Sequence, residues 1–216
     1  MKMTRRRIIC LALALAAVFL GLWLARNLKE RWAAIPARGG ESFTMAALVT
    51  PHYRQRDARW EKETLGGLGE SLARVGCTVC SLAMALDYHG VKLTPKELNA
   101  FLKTNDGYTV RGWLRWDAVA KVSRGQVTMD YLGRPGFEVI DRALKNHQPV
   151  IAKVLINGII PHWVLIVGKE GTDYLMRDPL GDEQTIGRVS DYGSKLYAVR
   201  ILRGNRPSPA SATTGL

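Results

Sequence analysis

Two cysteines separated by two residues begin an apolar segment of the sequence. The segment VGCTVCSLAMALDYHG occupies positions 75–90, with Cys77 and Cys80 near its start. A pair at this spacing can form half of a zinc site or a redox couple, or it can be one catalytic thiol beside an uninvolved neighbour. The other residues with possible chemical roles have to decide between these three interpretations.

The zinc and redox interpretations receive little support from the rest of the chain. A structural zinc site takes four ligands, usually as two pairs, and paired histidines typically lie three to five residues apart. The four histidines, at positions 52, 89, 147 and 162, show no such pairing. A redox C-x-x-C motif normally lies in a βαβ context, whereas the preceding residues, GGLGESLARVG, have the composition of a loop. Both interpretations stay open as alternatives to a catalytic thiol.

A catalytic thiol needs a base and a group that orients the base, and the second half of the chain contains both. His162 begins one predicted strand, HWVLIVG (162–168), and Asp178 lies near the end of the next, DYLMRDP (173–179). A hairpin that turns at KEGT (169–172) places the histidine opposite the aspartate or one residue from it, so the side chains can form a hydrogen bond. The carboxylate would then hold the imidazole in one tautomer and stabilise its protonated form.

Cys77 follows Gly76 and is predicted to open a helix. The positive end of a helix and a protonated histidine both lower the pKa of a thiol, which produces a thiolate near neutral pH. Taken singly, each candidate has an ordinary structural explanation: a small buried residue for Cys77, a strand-end histidine for His162 and a turn for Asp178. Their occurrence together, in this chain order, favours the catalytic interpretation.

A fold in which helices precede strands is predicted to position these residues. Apolar residues at helical spacing predict four helices, at 80–89, 93–105, 116–123 and 136–147. Short runs of β-branched and aromatic residues predict four strands, at 149–156, 162–168, 173–179 and 195–202. This order predicts an α+β fold, with a helical half followed by an antiparallel sheet.

The net charge of +12 is not concentrated on the predicted folded unit. Residues 1–50 contain eight Lys and Arg and two Glu, a net charge of +6, so the other 166 residues carry the remaining +6. No recognition motif and no interleaving of aromatic with basic residues accompanies this charge. The sequence therefore predicts no nucleic-acid partner.

An uncharged apolar segment lies close to the N-terminus. The segment IICLALALAAVFLGLWLA (8–25) is about as long as a bilayer is thick, and it follows the basic start MKMTRRR. It is predicted to be a transmembrane helix that serves as a signal anchor, with the domain on the non-cytoplasmic side. Cleavage of the segment, which would release a secreted protein, is the alternative.

The predicted organisation has four parts. Residues 1–25 contain the anchor, 26–48 form a tether, 49–203 form the folded domain and 204–216 form a disordered tail rich in Pro, Ser, Thr, Ala and Gly. Because Cys10 lies inside the anchor, only two cysteines remain in the folded domain. This number excludes a disulfide framework, and packing has to stabilise the domain.

The folded domain resembles the C39-like cysteine peptidases, a family with a papain-like fold. The similar segments are PHYRQRDARW (51–60), GCTVCSLAMALDYHG (76–90), LKTNDGYTVRGWLRWDAVAK (102–121) and HWVLIVG followed by RDP. The resemblance spans about residues 51–200. It implies Cys77 as the nucleophile, His162 as the general base and acid, and Asp178 as the residue that orients the histidine. It also implies Gln55 as a side-chain donor to the oxyanion, beside the backbone N–H of the cysteine.

One position departs from the pattern of this family, because Cys80 stands where a threonine or another residue is more usual. We expect Cys80 to pack inward near Met84. The implied function is that of a membrane-anchored, exported hydrolase that cleaves an amide bond of a peptide or protein through a thioester, with no metal or organic cofactor. A catalytically silent binding module on the same fold, and an acyl- or amide-transferring enzyme with the same triad, are the alternatives.

The anchor generates a test of topology. If residues 8–25 hold the chain in the membrane with the basic cluster inside, protease added to intact cells or sealed spheroplasts should remove the domain after Leu48. Immunoblotting before and after permeabilisation measures this accessibility. A domain that resists protease until the membrane is opened would contradict the predicted topology.

Overall fold

The structure of the protein is a computed structural model that describes residues 13–19, 21–22, 28, 31–67, 69–182, 185–193 and 195–204. Within the predicted anchor, positions 13–19 and 21–22 are helical, and the other positions lie outside the described residues. No helix in the described ranges is long and apolar enough to cross a membrane. The predicted disordered tail also lies outside the described residues, except for Gly204.

The described part of the chain has its helices before most of its strands. Between residues 35 and 204, the described α-helices are α1 (Leu72–Val75), α2 (Cys77–Tyr88), α3 (Pro95–Thr104), α4 (Ala118–Val122) and α5 (Phe137–Lys145), and a 3₁₀ helix, η1, spans Val189–Tyr192. The strands are β1 (Ile35–Pro36), β2 (Arg38–Met45), β3 (Val127–Gly133), β4 (Val150–Ile156), β5 (Ile160–Arg177), β6 (Gly187–Arg188), β7 (Lys195–Leu196) and β8 (Ala198–Gly204). All pairings between these strands are antiparallel. The predicted α+β fold, a helical half followed by an antiparallel sheet, is confirmed.

The main sheet is covered by helices on both faces. Its strand order is β2-β5-β4-β8-β3, with β6 paired to β5. Ile151 and Leu165 pack in one apolar core with residues of α2, α3 and α4. Their neighbours Val150, Ala152 and Ile166 pack in a second core with residues of α5. Because successive residues of a strand point to opposite faces, burial of both faces explains why β4 is apolar at every position except Lys153.

Part of the segment predicted to be a tether, 26–48, is folded: residues 35–36 form β1 and residues 38–45 form β2. β2 pairs with β5 along the edge of the main sheet, with a shift of register between Arg38 and Phe43. Gly39 and Gly40 lie at this irregularity with φ angles of 149° and 73°. Glycines at such angles interrupt the alternation that marks a strand in a sequence. The strand β3 was also not predicted.

A buried ion pair joins β2 to the rest of the domain. The ammonium of Lys169 is fully buried and donates to Asp141 Oδ1 at 2.6 Å and to the carbonyl of Gly39 at 3.0 Å. The other carboxylate oxygen accepts the backbone N–H of Glu41 at 2.8 Å, and Tyr174 donates its hydroxyl to Oδ1 at 2.8 Å. These bonds connect β2, β5 and α5 through side chains and explain how an irregular strand is held in place.

Removal of one partner should destabilise the domain strongly. Asp141→Ala leaves the ammonium of Lys169 buried without a counter-charge, so the free energy of unfolding should fall by about 3–5 kcal/mol. Urea unfolding followed by circular dichroism measures this change. The exposed pair between Lys145 and Glu41 provides the control, because Lys145→Ala should cost less than about 1 kcal/mol. Equal losses at the two sites would contradict the role assigned to the buried pair.

Candidate active site

Cys77 is the first residue of α2, and a single glycine separates it from α1. A Cβ atom added to Gly76 would lie 2.4 Å from the carbonyl oxygen of Leu72, so no other residue fits without a shift of the backbone. The close approach of the two helices places Cys77 at the positive end of a 12-residue helix. As the first helical residue, it has a backbone N–H without an acceptor inside the helix.

A buried serine fixes α2 against β5. Ser81 lies one helical turn after Cys77, and its hydroxyl donates to the backbone carbonyl of Trp163 at 3.1 Å. Ser81 is fully buried. Because Trp163 follows His162 in β5, this hydrogen bond keeps Cys77 and His162 next to each other where α2 packs against the sheet.

His162 and Asp178 meet although 16 residues separate them. His162 Nε2 lies 2.7 Å from Asp178 Oδ1, and the imidazole is almost completely buried. An extended strand rises about 3.3 Å per residue. If the 18 residues of β5 were fully extended, His162 and Asp178 would lie far apart, so the chain has to reverse direction within β5. Gly171 lies next to the midpoint between His162 and Asp178 and has a left-handed φ of 61°. The turn predicted at 169–172 therefore belongs to β5, where residues 169–171 also pair with β2.

The bond to Asp178 leaves Nδ1 as the ring nitrogen of His162 that can face a third residue. That residue is Cys77, whose thiol is hydrogen-bonded to the imidazole. The structure thus brings Cys77, His162 and Asp178 into one row, with the imidazole between the thiol and the carboxylate, in the order that the sequence predicts. The row can transfer a proton between a thiol and an imidazole while a carboxylate holds the imidazole in place.

Asp178 is held by several donors besides His162. Its Oδ1 also accepts the backbone N–H of Leu180 at 2.8 Å, and its Oδ2 accepts the hydroxyl of Tyr192. The ring of His52 bonds through Nε2 to the backbone carbonyl of Asp178 at 2.6 Å. Side chain and backbone of the aspartate are therefore both fixed.

The thiol of Cys77 is made more acidic by its surroundings. Burial alone raises its pKa, but hydrogen bonds and charge act in the opposite direction and prevail. They are the bond to His162, the positive charge of its imidazolium, the backbone N–H of Trp163 and the hydroxyl of Thr78. The net result is a pKa of Cys77 below the ordinary value for a thiol.

The charges of His162 and Asp178 are stabilised together. Burial alone lowers the pKa of His162, but the hydrogen bonds to Asp178 and Cys77 and the charges of both raise it to about 9. Burial alone raises the pKa of Asp178, but the imidazolium and the donors Tyr192 and Leu180 lower it below its usual value. Near neutral pH these directions favour a thiolate, an imidazolium and a carboxylate side by side.

Gln55, the implied oxyanion donor, contacts both α1, which precedes Cys77, and Pro179, which follows Asp178. It is buried, its side-chain amide donates to the carbonyl of Ala73 at 2.8 Å, and its backbone N–H donates to the carbonyl of Pro179 at 2.9 Å. Ala73 precedes Cys77 by four residues. A side-chain amide carries two hydrogens, so one remains after the bond to Ala73.

Cys80 differs from Cys77 in the direction of its pKa shift. It is fully buried, which confirms the predicted inward packing. Burial, and to a smaller extent the negative charge of Cys77, raises its pKa well above the ordinary value. Both cysteines are free thiols. In the described part of the chain, no cluster of three or more His, Cys, Asp and Glu residues could hold a metal ion.

Two residues that help to hold this row are not among those that the sequence predicts for the site: Ser81, which fixes α2 against β5, and Tyr192, which contacts His162 and Asp178 directly. Ser81 could have been found, because a polar residue four positions after Cys77 lies on the same helix face. Tyr192 gave no signal, since it lies in a single 3₁₀ turn between strands of two residues each.

Comparisons with known proteins place the chain among peptidases. Residues 48–197 match the family model described as the Peptidase_C39 like family. One similar solved structure is a double glycine motif protease from an AMS/PCAT transporter in complex with the leader peptide, with 16% identity, a TM-score of 0.46 and coverage of 77% of this chain and 100% of that chain. Another is a C39-like peptidase from Bacillus anthracis, with 16% identity, a TM-score of 0.49 and coverage of 76% and 100%. Among curated proteins no similar sequence is found.

The pKa directions predict how the two thiols react. Alkylation of Cys77 by iodoacetamide should rise in two steps with pH: one below the ordinary thiol range, where the thiolate–imidazolium pair forms, and one near pH 9, where His162 loses its proton. Cys80 in the same molecule should label slowly at every pH of this range, since its pKa is raised. Mass spectrometry of the labelled peptides gives both rates. Equal rates for the two cysteines would contradict the assignment.

Proposed function

The chain belongs to the Peptidase_C39 like family, and on this premise we propose that it is a cysteine peptidase with Cys77 as its nucleophile. The observation that carries this proposal is that His162, bonded to Asp178, lies beside Cys77 at the positive end of α2. An ordinary buried cysteine has a raised pKa, as Cys80 does, whereas the pKa of Cys77 is lowered. A lowered thiol pKa beside an imidazole is what nucleophilic catalysis requires.

In the first half of the proposed reaction, the thiolate of Cys77 attacks the carbonyl carbon of the scissile bond. A C–S bond forms, and the carbonyl oxygen takes the negative charge. When the C–N bond breaks, the imidazolium of His162 gives the proton on Nδ1 to the leaving amine. A thioester and a neutral imidazole remain.

The second half releases the acid. Neutral His162 accepts a proton from a water molecule as the water attacks the thioester carbonyl. The C–S bond then breaks, the carboxylic acid product leaves, and Cys77 returns as a thiolate beside an imidazolium. Asp178 stays ionised throughout and holds the Nε2–H of the imidazole, so the ring presents Nδ1 to the reacting atoms.

The negative oxygen formed in both halves needs hydrogen-bond donors. We assign two: the backbone N–H of Cys77, which has no acceptor within α2, and the amide hydrogen of Gln55 that Ala73 leaves available. Burial of Gln55 and its second bond, from its backbone to Pro179, fix the donor before substrate arrives. Fixed donors of this kind stabilise the transition state without a cost of reorganisation.

The proposed setting is the non-cytoplasmic side of a membrane, with the chain held by residues 8–25. The support for this setting is the uncharged apolar sequence after Arg5, Arg6 and Arg7. A peptide or protein on that side of the membrane is the proposed substrate.

Three variants test the proposed chemistry on a quenched fluorescent peptide library. Cys77→Ser should lower turnover on the order of 10³-fold or more, because a serine hydroxyl lacks the low pKa of the thiol. Asp178→Asn should lower it on the order of 10²-fold, because the amide keeps an acceptor oxygen but loses the charge. Cys80→Thr is the matched control and should keep most of the activity, since Thr fills the site and can bond back along the helix.

For each expected result there is an outcome that would contradict the proposed function. A folded Cys80→Thr variant as inactive as Cys77→Ser would favour a redox pair. Wild-type turnover by Asp178→Asn would remove the aspartate from the mechanism. A folded wild-type protein that turns over no member of the library would favour a silent binding module.

A further inference from the structure

Tyr192 touches both members of the histidine–aspartate pair. Its hydroxyl donates to Asp178 Oδ2, and its ring centre lies 5.6 Å from that of His162. We propose that Tyr192 is a positioning residue, which holds the carboxylate of Asp178 in the orientation that His162 requires and covers their hydrogen bond. This role rests on the proposed function, because it concerns the same catalytic row.

The distribution of donors over the carboxylate shows what Tyr192 contributes. Oδ1 accepts from His162 Nε2 and from the backbone N–H of Leu180, whereas Oδ2 accepts the hydroxyl of Tyr192. The torsion that turns a carboxylate has broad minima, so bonds to one oxygen alone restrain it weakly. With donors at both oxygens the carboxylate plane is fixed, and Oδ1 stays directed at the imidazole.

The ring of Tyr192 adds a second effect. It lies against the imidazole at an interplanar angle of 52° and is itself half-buried. A ring at this place excludes water from the bond between His162 and Asp178. Exclusion of water lowers the local dielectric constant, which strengthens the attraction between imidazolium and carboxylate.

The segment that carries Tyr192 is fastened to the same strand as the catalytic pair. Within η1, Ser190 donates its hydroxyl to Asp173 Oδ2 at 2.9 Å, and Val189 is fully buried. Just before η1, β6 pairs with β5, and Arg188 forms an ion pair with Glu170. These contacts fix Tyr192 relative to β5, so its hydroxyl is placed before any substrate binds.

Tyr192 remains a donor over the range in which the row functions. Burial and the bond to the Asp178 carboxylate both raise the pKa of its hydroxyl. The hydroxyl is therefore protonated wherever His162 is an imidazolium, and Tyr192 does not itself titrate between the two alkylation steps of Cys77.

Tyr192→Phe tests this role, because it removes the hydroxyl and keeps the ring. Turnover should fall about tenfold at unchanged KM, since a looser carboxylate orients His162 less well in the transition state. The alkylation step of Cys77 near pH 9 should move by about half a pH unit, because the carboxylate that stabilises the imidazolium of His162 has lost its donor at Oδ2. Iodoacetamide labelling from pH 5 to about 11 measures the step, and circular dichroism of the same samples shows that the variant is folded.

Tyr131→Phe is the matched control, because its hydroxyl bonds to the carbonyl of Arg134 from the far edge of the sheet. It should leave turnover and both alkylation steps at wild-type values. Wild-type turnover and an unmoved step near pH 9 in Tyr192→Phe would overturn the role of Tyr192 and leave the proposed function standing. Slow, single-step alkylation of Cys77 in the wild-type protein would overturn the proposed function and this role together.

Discussion

The site depends on one interaction, the mutual stabilisation of two opposite charges on Cys77 and His162. Both side chains are buried, and burial alone would keep the thiol protonated and the imidazole neutral. The charged forms prevail because each is the partner of the other, and because Asp178 adds a second negative charge behind the imidazole. Buried charges that stabilise each other are sensitive to small displacements, since a partner that moves away leaves an uncompensated charge. The surrounding structure therefore has to hold all three groups closely.

The fold meets this requirement because α2, which carries Cys77, and β5, which carries His162, are both well packed and are joined by a hydrogen bond. Cys77 is the first residue of α2, which is packed in an apolar core, and His162 lies on β5, which is packed on both faces of the sheet. The hydrogen bond from Ser81 to Trp163 fixes one element against the other near the site. The reversal of direction inside β5 then brings Asp178, which follows the strand, back to His162. A site assembled from the ends of packed elements holds its geometry better than one assembled from loops.

The sequence predicted those parts of the structure that local pattern controls. The four helices and the strands with continuous apolar runs follow from periodicity, and the juxtaposition of His162 with Asp178 follows from their spacing about a turn. Long-range contacts left no such trace. β2 is held by backbone pairing and by the buried Lys169–Asp141 pair, which no local pattern reveals. Gln55 emerged only through a family resemblance, and Tyr192 reaches Asp178 from a single turn that has no periodicity of its own.

The most direct test of the central claim is the titration of His162 by NMR with ¹⁵N-labelled histidine, in the wild-type protein and in Cys77→Ala. If the two charges stabilise each other, His162 should titrate near pH 9 in the wild-type protein. Its pKa should fall in the variant, because the thiolate that helps to hold the imidazolium proton is gone. A histidine that titrates near its ordinary value of about 6.5, or at the same pH in both proteins, would contradict the account.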